Sequence, residues 1–156
     1  MEFFQQAFTI AKQINNQAQE GVTLNNIGQV YNNQGQYPKA LELFQQALVI
    51  RQKIGDKGGQ GVILNNIGSV YNSQADYPKA LELYQQALTI AKQINNQAQE
   101  ATSLNNIGVV YKSQGEYPKA LEFYQQSLVY FARLSRCLVS RSQSCLVPSQ
   151  RLGMNN

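Results

Sequence analysis

Three asparagine pairs, Asn25-Asn26, Asn65-Asn66 and Asn105-Asn106, stand at a constant interval of 40 residues. Each carboxamide offers two donors and an acceptor. A row of them can therefore pair with both the N–H and the C=O of an extended peptide, whatever its side chains. The competing use is local, because an amide can also bond its own helix or the adjacent unit. Other chemistry is poorly provided for. Histidine is absent, which removes Ser-His-Asp and Cys-His pairs and most zinc sites. Cys137 and Cys145 have only arginines nearby to lower a thiol pKa, so no redox role is expected. The run Gly55 to Gly61 lacks the G-x4-G-K-S/T pattern of a phosphate loop and reads as a linker between helices. Glu42, Glu82 and Glu122 follow Lys39, Lys79 and Lys119 by three residues, which reads as solvated surface pairs rather than catalytic acids. Neither an enzyme nor a bound metal or cofactor is expected.

The elements that would position these asparagines repeat with them. Leu24-Asn25-Asn26-Ile27-Gly28 returns at Leu64 to Gly68 and at Leu104 to Gly108. Tyr37-Pro38-Lys39-Ala40-Leu41-Glu42 returns at Tyr77 and Tyr117. Residues 11–20 and 91–100 are identical, which implies recent duplication or consensus construction. Each unit reads as two helices. Leu24, Ile27, Gly28 and Tyr31 share one helical face, as do Ala40, Phe44, Ala47 and Leu48. Between them, Asn33 to Gln36 supply turn chemistry around Gly35, and Pro38 suits the first turn of a new helix. Ala75 replaces the turn glycine in the second unit, at a small cost if that position needs φ > 0. Gly28, Gly68 and Gly108 lie on an apolar face, which predicts close approach of the partner helix near Ala40, Ala80 and Ala120. Tyr31, Tyr71 and Tyr111 read as core, and Tyr37, Tyr77 and Tyr117 as anchors of the turn.

Composition narrows the partners. Hydrophobic residues make up 43% and charged residues 14%. The charged fraction is low, and asparagine and glutamine at about a quarter of the chain fill the gap. The formal net charge of +4 lies wholly in Arg133, Arg136, Arg141 and Arg151, because residues 1–130 balance. A basic tail is not the stripe on a folded face that nucleic acid needs, so no nucleic-acid partner is expected. No apolar run approaches membrane-spanning length and no signal peptide is visible, so the expected setting is cytoplasmic.

These residues resemble the tetratricopeptide repeat, whose pattern W-x2-L-G-x2-Y…A-x3-F is met by Leu24, Ile27, Gly28, Tyr31, Ala40 and Phe44. It is met again by Leu64, Ile67, Gly68, Tyr71, Ala80 and Tyr84, and by Leu104, Ile107, Gly108, Tyr111, Ala120 and Tyr124. Leucine stands where tryptophan is usual, and the closing proline is absent. The period of 40 in place of the usual 34 suggests a longer second helix. The Leu-Asn-Asn opening is similar to that of kinesin light chains and of bacterial signalling arrays. The resemblance implies an all-α fold, a right-handed solenoid of antiparallel helix pairs, with the first helices lining a concave groove. It places Asn25, Asn26, Gln29 and Asn33 in that groove, then Asn65, Asn66, Ser69 and Ser73, then Asn105, Asn106, Val109, Lys112 and Ser113. Such a groove is amide-lined and nearly neutral. Recognition of a terminal carboxylate by paired cations is not expected there, Lys112 excepted.

The chain divides by this reading into an orphan second helix at 1–20, repeats at 21–60, 61–100 and 101–135, and a divergent basic tail at 136–156 that is a helical cap or disordered. The expected function is that of a protein- or peptide-binding scaffold, a fragment of a longer array, holding an extended peptide. Two alternatives remain open: a structural unit that self-associates as a homo-oligomer through uncapped ends, where Phe3, Phe4, Phe8, Leu128 and Phe131 are candidates, or a regulatory module of a larger signalling protein. The tail shifts from lysine to arginine and gains serine and cysteine, as a shifted reading frame or a junction would produce.

Overall fold

The computed structural model describes residues 16–140, the side chains at 131 and 133–140 excepted. Within them run six helices: α1 (Gln17–Asn33), α2 (Tyr37–Lys53), α3 (Lys57–Ser73), α4 (Tyr77–Gln93), α5 (Gln97–Ser113) and α6 (Tyr117–Ser140). They form three antiparallel pairs, α1 with α2, α3 with α4 and α5 with α6. α2 and α4 also pack on the first helix of the next pair, and the first helices touch across pairs. Among the described residues no helix is long and apolar enough to cross a membrane. The orphan-helix expectation, the phenylalanines Phe3, Phe4 and Phe8, Cys145 and most of the tail lie outside the described residues.

Local chemistry sets the helix ends. The side chains of Asn16, Asp56 and Asn96 accept hydrogen bonds from the backbone N–H three residues on, at 3.0, 2.8 and 3.1 Å. Each satisfies one of the N–H groups that a helix start leaves unpaired. At the other ends the chain turns through a left-handed residue, with φ of 70° at Gly35, 72° at Gly55 and 79° at Gly115. The N–H groups of Gln36, Asp56 and Glu116 close these turns onto the Tyr31, Arg51 and Tyr111 carbonyls at 2.9 Å. Ala75 takes the same conformation at φ 60°, so its Cβ costs about 1–2 kcal/mol there.

α1 to α5 are 17 residues each. The long period is therefore shared by both helices of a pair, and the expectation of a longer second helix is corrected. The run Gly55 to Gly61 is corrected too. Only Gly55 is a turn residue, while Gly58, Gly59 and Gly61 lie inside α3. Gly59 makes room for a buried guanidinium, since a Cβ there would lie 2.6 Å from Arg51 Cδ. Arg51 pairs with Asp56 at 2.8 Å.

The pair interface is built on one motif used three times. A Cβ on Gly28, Gly68 or Gly108 would meet the ring of Phe44, Tyr84 or Tyr124 at 2.7 Å. The glycines thus admit an aromatic ring; the approach near the alanines is secondary, with the Ala120 carbonyl 3.2 Å from Gly108's missing Cβ. Ala40, Phe44, Ala47 and Leu48 are buried, as their spacing predicts. Tyr31, Tyr71 and Tyr111 are half-buried and carry Lys39, Lys79 and Lys119 over their rings at 5.3, 5.0 and 5.4 Å. These lysines turn backward to Gln36, Asp76 and Glu116. Glu42 and Glu82 instead accept from Gln46 and Gln86. The forward lysine–glutamate pairing read from the sequence is thereby corrected. Hydrogen bonding to Asp76 and Glu116 holds the Lys79 and Lys119 ammonium groups above the usual lysine pKa.

Candidate functional site

One stripe recurs on the first helix of every pair. Val22, Asn26, Gln29 and Asn33 lie at helical spacing on α1; Val62, Asn66, Ser69 and Ser73 on α3; and Thr102, Asn106, Val109 and Ser113 on α5. All twelve are exposed or half-buried, and none carries a charge. Adjacent stripes are neighbours because the first helices touch across pairs. Lys112 is exposed and stands seven residues after Asn105 on α5, where α1 and α3 have Asn32 and Asn72. The carboxamide oxygens of Asn32 and Asn72 are buried and accept no hydrogen bond among the described residues.

The two asparagine rows separate by position. The first row faces the next pair. Asn65 is 7% exposed. Its amide nitrogen donates to the Gly61 carbonyl at 3.2 Å and to Ser103 Oγ at 3.0 Å. The second row reaches back to it. Asn66 Nδ2 donates to Asn25 Oδ1 at 2.7 Å, and Asn106 Nδ2 donates to Asn65 Oδ1 at 3.2 Å. The rows together form a ladder of amide hydrogen bonds that crosses both junctions. Asn65 is spent within it and presents no free amide to a groove. Asn66 and Asn106 each commit one N–H and keep the other N–H and the oxygen. Asn25 is half-buried; Asn26 and Asn105 are exposed.

The remaining candidates have local partners as well. Gln29 Nε2 donates to Asn33 Oδ1 at 3.1 Å. The hydroxyls of Ser73 and Ser113 donate to the carbonyls of Ser69 and Val109, both at 3.0 Å. Ser69 shares a hydrogen bond with Tyr84, whose phenol burial pushes up to about 12 while that bond pulls it down. Val22, Val62 and Thr102 were not singled out by the sequence reading. Their signal was available: each precedes the second asparagine by four residues, which is one turn on the same face. Ser103 was missed for lack of one, because Thr23 and Ile63 occupy its place in the other units. Among the described residues no three metal-ligating side chains are gathered.

The tetratricopeptide repeat family model matches residues 2–53, 19–93 and 59–128. A search of curated protein sequences returns no match. Solved structures share the fold at low identity. BtubC (BKLC) from P. vanneervenii is 21% identical with a TM-score of 0.72 over 86% of this chain and 56% of that one. The TPR domain of Arabidopsis FLU is 23% identical with a TM-score of 0.65 over 77% of this chain and 98% of that one. A putative kinesin light chain of Podosopora anserina, with nearly identical TPR-like repeats, is 18% identical with a TM-score of 0.65 over 86% and 66%.

Proposed function

This chain belongs to the tetratricopeptide repeat family, a family of non-catalytic scaffolds for protein–protein interaction, and we propose that it holds an extended, largely uncharged peptide along the stripes of its first helices. The observation that carries this reading is the separation of charge. The three stripes hold no charged residue, whereas Lys39, Glu42, Lys79, Glu82, Lys119 and Glu122 stand exposed on the second helices. A charged ligand side chain would find no counter-ion along the stripes and would lose hydration without return. Backbone N–H and C=O groups would find amide partners at Asn26, Asn66 and Asn106, and small apolar side chains would rest on Val22 and Val62. Among the described residues, Lys112 offers the one cation beside the stripes, at the third pair.

Panning a display library of short peptides on the chain tests this. Enriched peptides are titrated against Asn26→Ala, Asn66→Ala and Asn106→Ala, with circular dichroism as the control for folding. At least one variant is expected to weaken binding about fivefold, the value of one hydrogen bond. Failure to enrich any peptide, or unchanged affinity in all three variants, overturns the proposal.

A further inference from the structure

The stripes repeat in space as well as in sequence. α-Carbon atoms of α1 and α3, and of α3 and α5, approach within 8 Å. Helices in such contact have axes about 8–10 Å apart, and that is the step from one stripe to the next. The chemistry recurs at each step. Asn66 reaches back to Asn25, and Asn106 reaches back to Asn65. Both carboxamides thus keep the same free N–H and oxygen, one step apart. Asn26 carries the same side chain on α1, and Val22, Val62 and Thr102 stand exposed one turn before the three asparagines.

A ligand that meets every stripe alike must repeat itself over the same step. The regular backbones differ in whether they can. In a β-strand two residues advance about 6.6 Å and four about 13 Å, while three turn the side chain to the opposite face. No same-face pair of a strand matches the step. An α-helix advances about 10.5 Å in seven residues, just beyond it, and its N–H and C=O groups are bonded internally, so they offer nothing to Asn66 or Asn106. A polyproline-II segment advances about 9 Å in three residues and returns the same face at every third one. Its backbone makes no internal hydrogen bonds. Of the three it alone meets the step, the face and the free amides together.

We propose, on the premise that these stripes hold a peptide, that the occupant is a polyproline-II segment with a three-residue chemical period. Uncharged side chains at i, i+3 and i+6 face the stripes of α1, α3 and α5, and the residues between them turn away. Small aliphatic side chains suit the facing positions, where Val22 and Val62 are apolar. Proline suits the positions between, because it fixes the required φ and no stripe calls on its missing N–H.

The probe is a nine-residue peptide of three Val-Pro-Gln units with blocked ends. It is titrated into the isotope-labelled full chain and followed by NMR at the side-chain amide resonances of Asn66 and Asn106. Two peptides serve for comparison: a nine-residue alternation of Val and Gln, and the probe with one Gln inserted after its second unit. Saturable shifts of both resonances are expected with the probe. The other two lose contact with at least one stripe and are expected to bind about fivefold more weakly or less still, the value of one hydrogen bond. Asn66→Ala is expected to weaken the probe by about the same factor, with circular dichroism as the control for folding. Equal affinity for the probe and the inserted peptide, with both still weakened by Asn66→Ala, overturns the three-residue period and leaves peptide binding standing. Tighter binding of the alternating peptide does the same in favour of a strand. No saturable binding by any of the peptides, or binding unmoved by both Asn66→Ala and Asn106→Ala, overturns the period and the peptide binding together.

Discussion

The two junctions between helix pairs share a geometry and differ in chemistry. Both pass through a left-handed turn residue, Gly55 or Asn95, and both start the next helix on a capping side chain, Asp56 or Asn96. At the first junction an arginine is buried against that cap, Arg51 on Asp56, and Gln60 Nε2 donates to the Arg51 carbonyl at 3.3 Å. At the second, Ala91 stands in place of Arg51. Gln99 Nε2 donates instead to the Gly58 carbonyl at 3.1 Å, and Ser103 joins the amide ladder. The contrast shows which parts of the repeat are interchangeable. The glycine–ring contact inside each pair recurs unchanged, while the contacts beside the turn between pairs include an ion pair in one case and neutral hydrogen bonds alone in the other.

The largest expected effect tests whether the ion pair matters beyond capping. Asp56→Ala removes a cap and strands a buried guanidinium, so a loss of about 2–4 kcal/mol is expected. Asn96→Ala removes only a cap, at about 1 kcal/mol. Urea denaturation compares the two, and equal losses would erase the distinction between the junctions. Next, Gly59→Gln makes the first junction resemble the second. Its Cβ would lie 2.5 Å from Asp56 Oδ2 and 2.6 Å from Arg51 Cδ, so about 1–3 kcal/mol is lost. Arg51→Ala in the same chain is expected to recover part of it, the Asp56 contact remaining, and simple additivity of the two changes in a double-mutant cycle would show that they are uncoupled.

The ladder itself is unequal. Asn65→Ala strands the buried Ser103 hydroxyl and frees Asn106, at about 1–3 kcal/mol. Asn25→Ala removes one bond at a half-buried site, at about 0.5–1.5 kcal/mol. Thermal melts that rank them in reverse would break this reading.

The last effect is alkaline and lies inside a pair. Burial raises the Tyr84 phenol to about 12, so folding favours its neutral form. That stabilisation is complete below the unfolded pKa of about 10 and is lost as pH rises from there through the folded value. Tyr84 is 3% exposed, and the interval between about pH 9 and about pH 11.5 spans most of the shift, so about 2 kcal/mol is expected. Denaturation at about pH 9 and about pH 11.5 measures it, and Tyr84→Phe is expected to abolish the difference. A pH response retained by the variant would assign it elsewhere.

Much of this fold is legible in the sequence, for a physical reason. Leu24, Ile27, Gly28, Tyr31, Ala40 and Phe44 sit on packing faces, and packing imposes a period that repetition then displays three times. The turn at Ala75 was legible likewise, because Gly35 and Gly115 announce the φ it must adopt. Side-chain direction was not legible. An asparagine next to another asparagine has no sequence signal that says which amide turns to the neighbouring pair, so the first row read as groove when Asn65 belongs to the ladder. The burial of Arg51 was not legible, because nothing local shows that Gly59, eight residues on, lies across from it. Lys39 read as the partner of Glu42 because spacing allows both directions along a helix and only Gln36 and the Tyr31 ring decide between them.

The ladder also gives the array a mechanical character. It runs along the line where successive first helices touch, while away from the turn the second helices meet the next pair through apolar side chains. Apolar contact is non-directional and tolerates small rotations, whereas a hydrogen bond fails when its donor slides past its acceptor. Changing the curvature of the array pivots about the bonded line and keeps every rung. Displacing one pair along its neighbour breaks a rung at once. The chain is therefore compliant in bending and stiff in shear, like a strip of hinged slats joined along one edge, and that edge can adjust its arc without losing its register.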